Sequence, residues 1–235
     1  MPVRSEYHLA WWRKGLARPF LRFVLRTIFL VLAPVKITGK ENVQRGKPYI
    51  AAINHVSLFE APFIGVFWPE QLEVIGASDV WDRPGQNILA RLWGGIPIHR
   101  GEYDRAAIEG GVSVLRSGYP LLIAPEGGRS HAPGLRQAQL GIAYIAGQTD
   151  VPVIPVGIVG TTDDFWQKAS KGKRPQLEMH IGKPILLPPC EEKGAGRRAS
   201  RQRNADLVMR HIAGLLPESY RGVYSDSVIF SDVQE

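Results

Sequence analysis

Apolar and polar positions follow two different periods along this chain. Short apolar runs at 49–53, 73–77, 121–124 and 153–159 are too brief for helices and are mostly flanked by Pro, Asn or Gly, which marks them as strands. Between them, near 60–67, 85–93, 103–117 and 136–147, apolar residues recur at steps of three and four, the spacing of a helix with one buried face. A last helix is expected from about 198 to 216. Strand runs alternating with helical ones predict an α/β domain with a central mostly parallel or mixed sheet flanked by helices.

The first 33 residues obey a different rule. Trp11, Trp12, Phe20, Phe23 and Phe29 are interleaved with Arg13, Lys14, Arg18, Arg22 and Arg26. On a helix Lys14, Arg18, Arg22 and Arg26 share one stripe, and Trp12, Leu16, Phe20, Phe23 and Leu30 occupy the adjoining face. Pro19 lacks a backbone donor and disfavours helix at Arg18, so the segment is expected to divide near 5–17 and 19–33 into an N-terminal amphipathic two-helix motif. Its longest uninterrupted apolar run, 28–33, falls far short of the roughly 20 residues that cross a bilayer core. Arginines also interrupt the apolar centre that a secretory signal would need. Aromatic and basic side chains together suit a lipid headgroup region. The competing expectation is a helix pair simply packed on the domain. The organisation expected is therefore docking helices at 1–33, an α/β domain at 34–225 and a tail at 226–235.

Composition narrows this picture without choosing a ligand. With 44% hydrophobic and 22% charged residues the chain is globular, and 29 Lys+Arg against 22 Asp+Glu leave a charge of +7. Such a field favours phosphates, anionic headgroups or nucleic acid, but no nucleic-acid motif is recognisable. The basic run at 197–203 reads as a solvated helix face. The single Cys190 rules out an internal disulfide or a cysteine metal cluster, and no metal site or cofactor is expected.

Four clusters fall at the ends of predicted strands or in the loops after them, where α/β folds place ligands. The first is Asn54-His55-Val56-Ser57-Leu58-Phe59-Glu60. A histidine can take a proton from an alcohol, and a carboxylate on its other nitrogen can fix the tautomer and stabilise the imidazolium. Residues five apart on an ideal helix point about 140° away from each other, so contact between His55 and Glu60 requires a turn between them. No Gly-x-Ser-x-Gly elbow occurs, and Ser57 suits a helix cap better than a nucleophile, so an attacking hydroxyl would come from the substrate. The second cluster is Gly94-Gly95-Ile96-Pro97-Ile98-His99-Arg100 and the third Ala124-Pro125-Glu126-Gly127-Gly128-Arg129-Ser130. Their glycines let amides approach an anion, and Arg100 and Arg129 offer bidentate donors for phosphate or partners for surface salt bridges. The fourth, at 151–158, is apolar with two prolines and reads as a buried strand or a wall for an acyl chain.

In order and spacing these clusters resemble the four signature blocks of the glycerolipid acyltransferase family, which includes the 1-acyl-glycerol-3-phosphate (lysophosphatidic acid) acyltransferases. His55 and Glu60 are similar to its His-x4-Asp block, 94–100 to its Gly-x-Ile-x-x-x-Arg block, and 125–130 to its Pro-Glu-Gly-Thr-Arg-Ser block. The likeness covers roughly 34–225, including Gly160-Thr161-Thr162. Two positions depart from it: Glu60 stands for Asp and Gly128 for Thr.

The resemblance implies an acyltransferase that moves a fatty acyl group from acyl-CoA or acyl carrier protein to a hydroxyl of a lysophospholipid acceptor. It implies His55 as general base with Glu60 as partner, and a substrate-binding set of Gly94, Arg100, Glu126, Gly127, Gly128, Arg129 and Ser130 around the acceptor's phosphate. It also implies that the N-terminal pair docks on a membrane surface, at its cytoplasmic face. A catalytically idle lipid-binding protein of the same fold is the alternative.

Overall fold

The computed structural model describes residues 7–98, 105–191, 194 and 196–230. Seven strands, β1 (Val35–Thr38), β2 (Ile50–Ile53), β3 (Glu73–Ala77), β4 (Ile96–Ile98), β5 (Leu121–Ile123), β6 (Val153–Val159) and β7 (Leu177–Ile181), form one sheet in the order β1-β7-β6-β2-β5-β3-β4. Every neighbouring pair is parallel except β6 and β7. The expected single α/β domain with a mixed sheet is what forms. β2 and β6, at the centre, are buried along almost their whole length, as strands covered on both faces must be.

Successive residues of β2 divide the core. Ala51 and Ile53 face a layer containing Phe29, Phe63, Phe67, Trp68 and Phe165, while Ile50 and Ala52 face Val112, Leu115, Ile142, Ile145, Val208 and Met209. The first layer is built by α1 (Arg18–Leu32), α2 (Glu60–Phe67) and α6 (Phe165–Ser170), the second by α4 (Arg105–Arg116), α5 (Gly141–Thr149) and α7 (Gly196–Gly214). Helix α3 (Gln86–Trp93) precedes the edge strand β4.

Four expectations change. The proline at 19 does not split the N-terminal segment: helical turns run on from Trp11 to Leu32, and Arg13–Ala17 takes the wider π form. The Arg18 amide reaches back five residues to the Arg13 carbonyl, and Pro19, lacking an amide, needs no partner in the first α-helical turn. Helix α5 starts at Gly141, five residues after the expected 136, because 135–138 is held by the C-terminal segment instead. The Leu135 amide donates to the Tyr220 carbonyl and the Ala138 amide to the Tyr224 hydroxyl. Strands β1, β4 and β7 are additions to the expected set. Residues 226–230 are not a loose tail, since the Ile229 amide donates to the Arg210 carbonyl of α7.

The first two arginines of α1, Arg18 and Arg22, point inward. Arg18 is fully buried and grips Glu73 with two bonds of 2.6 Å, while its Nε donates to the Trp93 carbonyl at 2.8 Å. The Tyr7 hydroxyl donates to the same carboxylate, and burial together with Glu73 pushes its pKa up, keeping it a donor. Arg22 donates to the Trp68 and Glu70 carbonyls at the C-terminal end of α2, where a cation also meets the negative end of the helix dipole. These two arginines thus fasten α1 to the domain, and Phe29 enters the common core.

Arg18→Ala would leave the Glu73 charge buried with Tyr7 as its remaining side-chain partner. Urea denaturation should show a loss of about 3–5 kcal/mol, whereas the double variant Arg18→Met/Glu73→Leu should lose far less. Equal losses in the two would show that the pair is not coupled.

Candidate active site

His55 follows the carboxyl end of β2, and Glu60 is the first residue of α2. The turn between them brings His55 Nδ1 to 3.1 Å from Glu60 Oε2. The carboxylate is wholly buried, whereas the His55 side chain keeps 17% of its surface exposed. Every other partner of Glu60 is a donor: the Ser57 amide at 2.9 and 3.0 Å, and the Thr161 hydroxyl at 2.6 Å. This is the back half of a capping box, turned into a socket for a carboxylate. Ser57 Oγ accepts from the Phe59 amide, a local turn-stabilising role close to the cap expected of it. With Nδ1 committed to Glu60, Nε2 is the histidine nitrogen left to act as a base.

The loop after β5 supports this pair from behind. Glu126 is buried, its pKa raised by burial and partly restored by backbone donors, and its two oxygens accept the His55 amide at 2.8 Å and the Arg136 amide at 3.0 Å. The Ser130 and His131 amides return bonds to the His55 and Val56 carbonyls. Glu126 therefore ties the two loops together. Ser130 likewise turns its hydroxyl to the Ala132 carbonyl at 2.6 Å.

Gly127 has φ +68°, and a Cβ there would stand 2.8 Å from Gln139 Cγ, so the glycine allows a tight turn. Beside Gly128 the space is open except for Arg136, whose guanidinium donates to the Arg129 carbonyl. Arg129 itself is half-buried, and its Nε meets no acceptor among the described residues. Arg100 and His99 lie outside the described residues. Gly94 caps α3 in the left-handed conformation and packs against Arg13 and Leu9.

His55 borders an apolar pocket of about 230 Å³ enclosed by α1, α2, α3 and strands β3 and β5. Leu21 and Leu25 form its wall from α1, Pro62 and Val66 from α2, and Trp81 and Trp93 close it elsewhere. Among the described residues no serine or cysteine lines it. β6, expected as an acyl-chain wall, does not line it either. Its function is to hold the loops: Asn54 pairs both side-chain amide atoms with Ile158, at 2.7 and 2.9 Å, extending the β2–β6 ladder beyond the last backbone bond. The strand then delivers Thr161 to Glu60 through Gly160, φ +91°, where any Cβ would collide with the Gln176 carbonyl. Asn54 stands in the first sequence cluster and Thr161 just beyond the fourth, but only burial and partners reveal what they do.

Residues 34–159 match the Acyltransferase family model. The chain is 29% identical over 159 residues to a 1-acyl-sn-glycerol-3-phosphate acyltransferase of Limnanthes douglasii, covering 63% of this chain and 53% of that protein. It is 27% identical over 143 residues to one of Borreliella burgdorferi, covering 59% and 57%. The chain thus spans about half the length of the curated relatives it matches. In fold it is similar to the crystal structure of the 1-acyl-sn-glycerophosphate acyltransferase PlsC of Thermotoga maritima, with a TM-score of 0.60 and 23% identity over 83% of this chain and 79% of that one. The family match covers more than half the chain and contains the buried His55–Glu60 pair: this protein belongs to the acyltransferase family.

Proposed function

We propose that the chain transfers a fatty acyl group from an acyl thioester, carried by coenzyme A or acyl carrier protein, to a hydroxyl of lysophosphatidate or a related lysophospholipid. The observation that carries this reading is a histidine paired with a buried carboxylate at the edge of an apolar pocket. His55 Nε2 takes the acceptor's hydroxyl proton as the oxygen attacks the thioester carbonyl. The new C–O bond gives a tetrahedral oxyanion, whose collapse re-forms the carbonyl and breaks the C–S bond while the imidazolium gives its proton to the departing sulfur. Among the described residues no serine or cysteine lines the pocket, which supports direct transfer without an acyl-enzyme.

Glu60 in place of Asp is consistent with this chemistry, because its socket already holds the longer side chain within reach of Nδ1. The unpartnered Nε of Arg129 supports an anionic headgroup nearby, since a buried cationic donor without an acceptor is costly. An idle lipid-binding protein would need neither the socket nor the Thr161 bond.

The outward face of α1 supports docking on a membrane surface. Leu16, Phe20, Phe23, Leu30 and Val31 form an exposed stripe, with Phe20 66% and Phe23 72% exposed. Among the described residues no helix is long and apolar enough to cross a membrane.

Three outcomes test the chemistry. Purified His55→Ala, assayed with labelled acyl-CoA and lysophosphatidate, should retain its fold by circular dichroism but lose about 10²–10⁴-fold in rate; near-normal turnover would remove the base. Thr161→Val should lower kcat about tenfold with little change in KM, the cost of one buried hydrogen bond, and Thr161→Ser should recover most of it. If Val and Ser behave alike, the hydroxyl does not position Glu60. Arg129→Ala should raise the acceptor KM and leave the donor KM unchanged. A rise in the donor KM alone would assign the guanidinium to the thioester's carrier.

A further inference from the structure

The apolar stripe on α1 lacks two of the cations that its sequence seemed to provide. Arg18 and Arg22 are spent inside the domain, Lys14 lies over the Tyr119 ring and Arg26 over Phe67. Lys14 and Arg26 remain exposed over those rings, and further exposed cations adjoining the stripe stand on another element. The turn between α6 and β7, Lys171-Gly172-Lys173-Arg174, is exposed throughout. Gly172 at φ +73° and Arg174 at φ +43° fold it back sharply.

Three contacts fix this turn beside the C-terminal end of α1. Arg174 donates to the Leu30 carbonyl at 3.3 Å, Phe165 packs on Phe29 with ring centroids 6.0 Å apart, and the Leu177 amide donates to the Pro34 carbonyl. Next to Phe165, Trp166 turns outward and is 56% exposed. The neighbouring acids are already matched: Asp164 pairs with Lys168, Asp163 with His131 and Glu178 with His180. Lys171 and Lys173 have no ion-pair partner among the described residues.

We propose that Lys171, Lys173 and Arg174, with Trp166, form the cationic part of a docking surface for an anionic phospholipid bilayer, continuous with the outward stripe of α1. The inference rests on reading that stripe as lipid-facing. Unpaired lysines attract an anionic surface, and an exposed indole beside them is suited to the half-wet headgroup layer. The stripe extends along a helix of about 22 Å, and the same helix lines the pocket from its inner side through Leu21 and Leu25. A soluble acidic protein would find the cations but would have no need of the apolar stripe.

The test is cosedimentation of the full chain with vesicles of phosphatidylcholine, alone or mixed with phosphatidylglycerol, at low and high salt. Lys171→Gln/Lys173→Gln should lower affinity for the anionic vesicles roughly 30-fold at low salt, about fivefold per cation. It should not change binding to phosphatidylcholine alone, and the difference should shrink in high salt. Phe20→Ser/Phe23→Ser should weaken binding to both vesicle types. The charge-matched Arg197→Gln/Arg198→Gln, on α7 across the sheet, should bind as wild type. The proposal is overturned if the lysine variant binds anionic vesicles normally, or if the α7 variant loses as much, which would make net charge the cause. It also fails if the phenylalanine variant binds both vesicle types normally, because the surface would then not include α1. Vesicle binding needs no turnover, so a protein without acyl transfer would still answer the question.

Discussion

A carboxylate removed from water must be surrounded by donors, and three buried glutamates impose that demand on this chain at three places. Glu73 on β3 calls in Arg18 and Tyr7 and thereby fixes the N-terminal helix. Glu126 after β5 calls in the His55 and Arg136 amides and fixes the loop that carries the base. Glu60 calls in Ser57, Thr161 and His55 itself. Leaving any of these charges without its donors costs more than the hydrogen bonds gain, so each acts as a rigid staple. Together they hold the ends of β2, β5 and β6 and the helix that walls the pocket in one arrangement.

The two faces of α1 show how one amphipathic pattern can serve both structure and surface. Two of the cations that a helical wheel assigns to a polar, solvated face, Arg18 and Arg22, are buried and half-buried, satisfying a carboxylate and the carbonyls that end α2. The apolar residues beside them are the ones left in water. This is the reverse of an ordinary surface helix, and it is stable because the guanidiniums are fully hydrogen-bonded while exposed aromatics cost only their hydration. The inversion leaves an apolar patch facing out, a surface that monomeric proteins rarely keep without a use for it.

Much of the architecture was legible because periodicity reports burial directly. β3, β6 and α2 have the bounds that their apolar runs predict, and β2, β5 and α3 differ by a residue. What periodicity missed were elements whose sequence is locally ambiguous. β4 contains Pro97, tolerable only because the strand is at the sheet edge, and β1 is four residues long with Lys36 exposed. Helix α5 loses its expected first turn to bonds with Tyr220 and with Tyr224, the latter 86 residues away from Ala138, which no local pattern records. Within the site, the His55–Glu60 pairing could be read from spacing and chemistry. The structural duties of Glu126, Ser130 and Gly94 could not, since a motif marks which residues matter and not which atom each one touches.

The position of Arg136 gives the glycine at 128 a physical consequence. A Cβ there would stand 3.7 Å from the Arg136 guanidinium, in ordinary contact with the group that holds the Arg129 carbonyl. With glycine, two guanidiniums can share one short loop, one held by its neighbour's backbone and the other with an unpartnered donor. An anion beside this loop would be attracted by both charges. The loss of a hydroxyl at 128 is thus compatible with a stronger cationic site, because an arginine carries both the charge and the fork of donors that a threonine lacks.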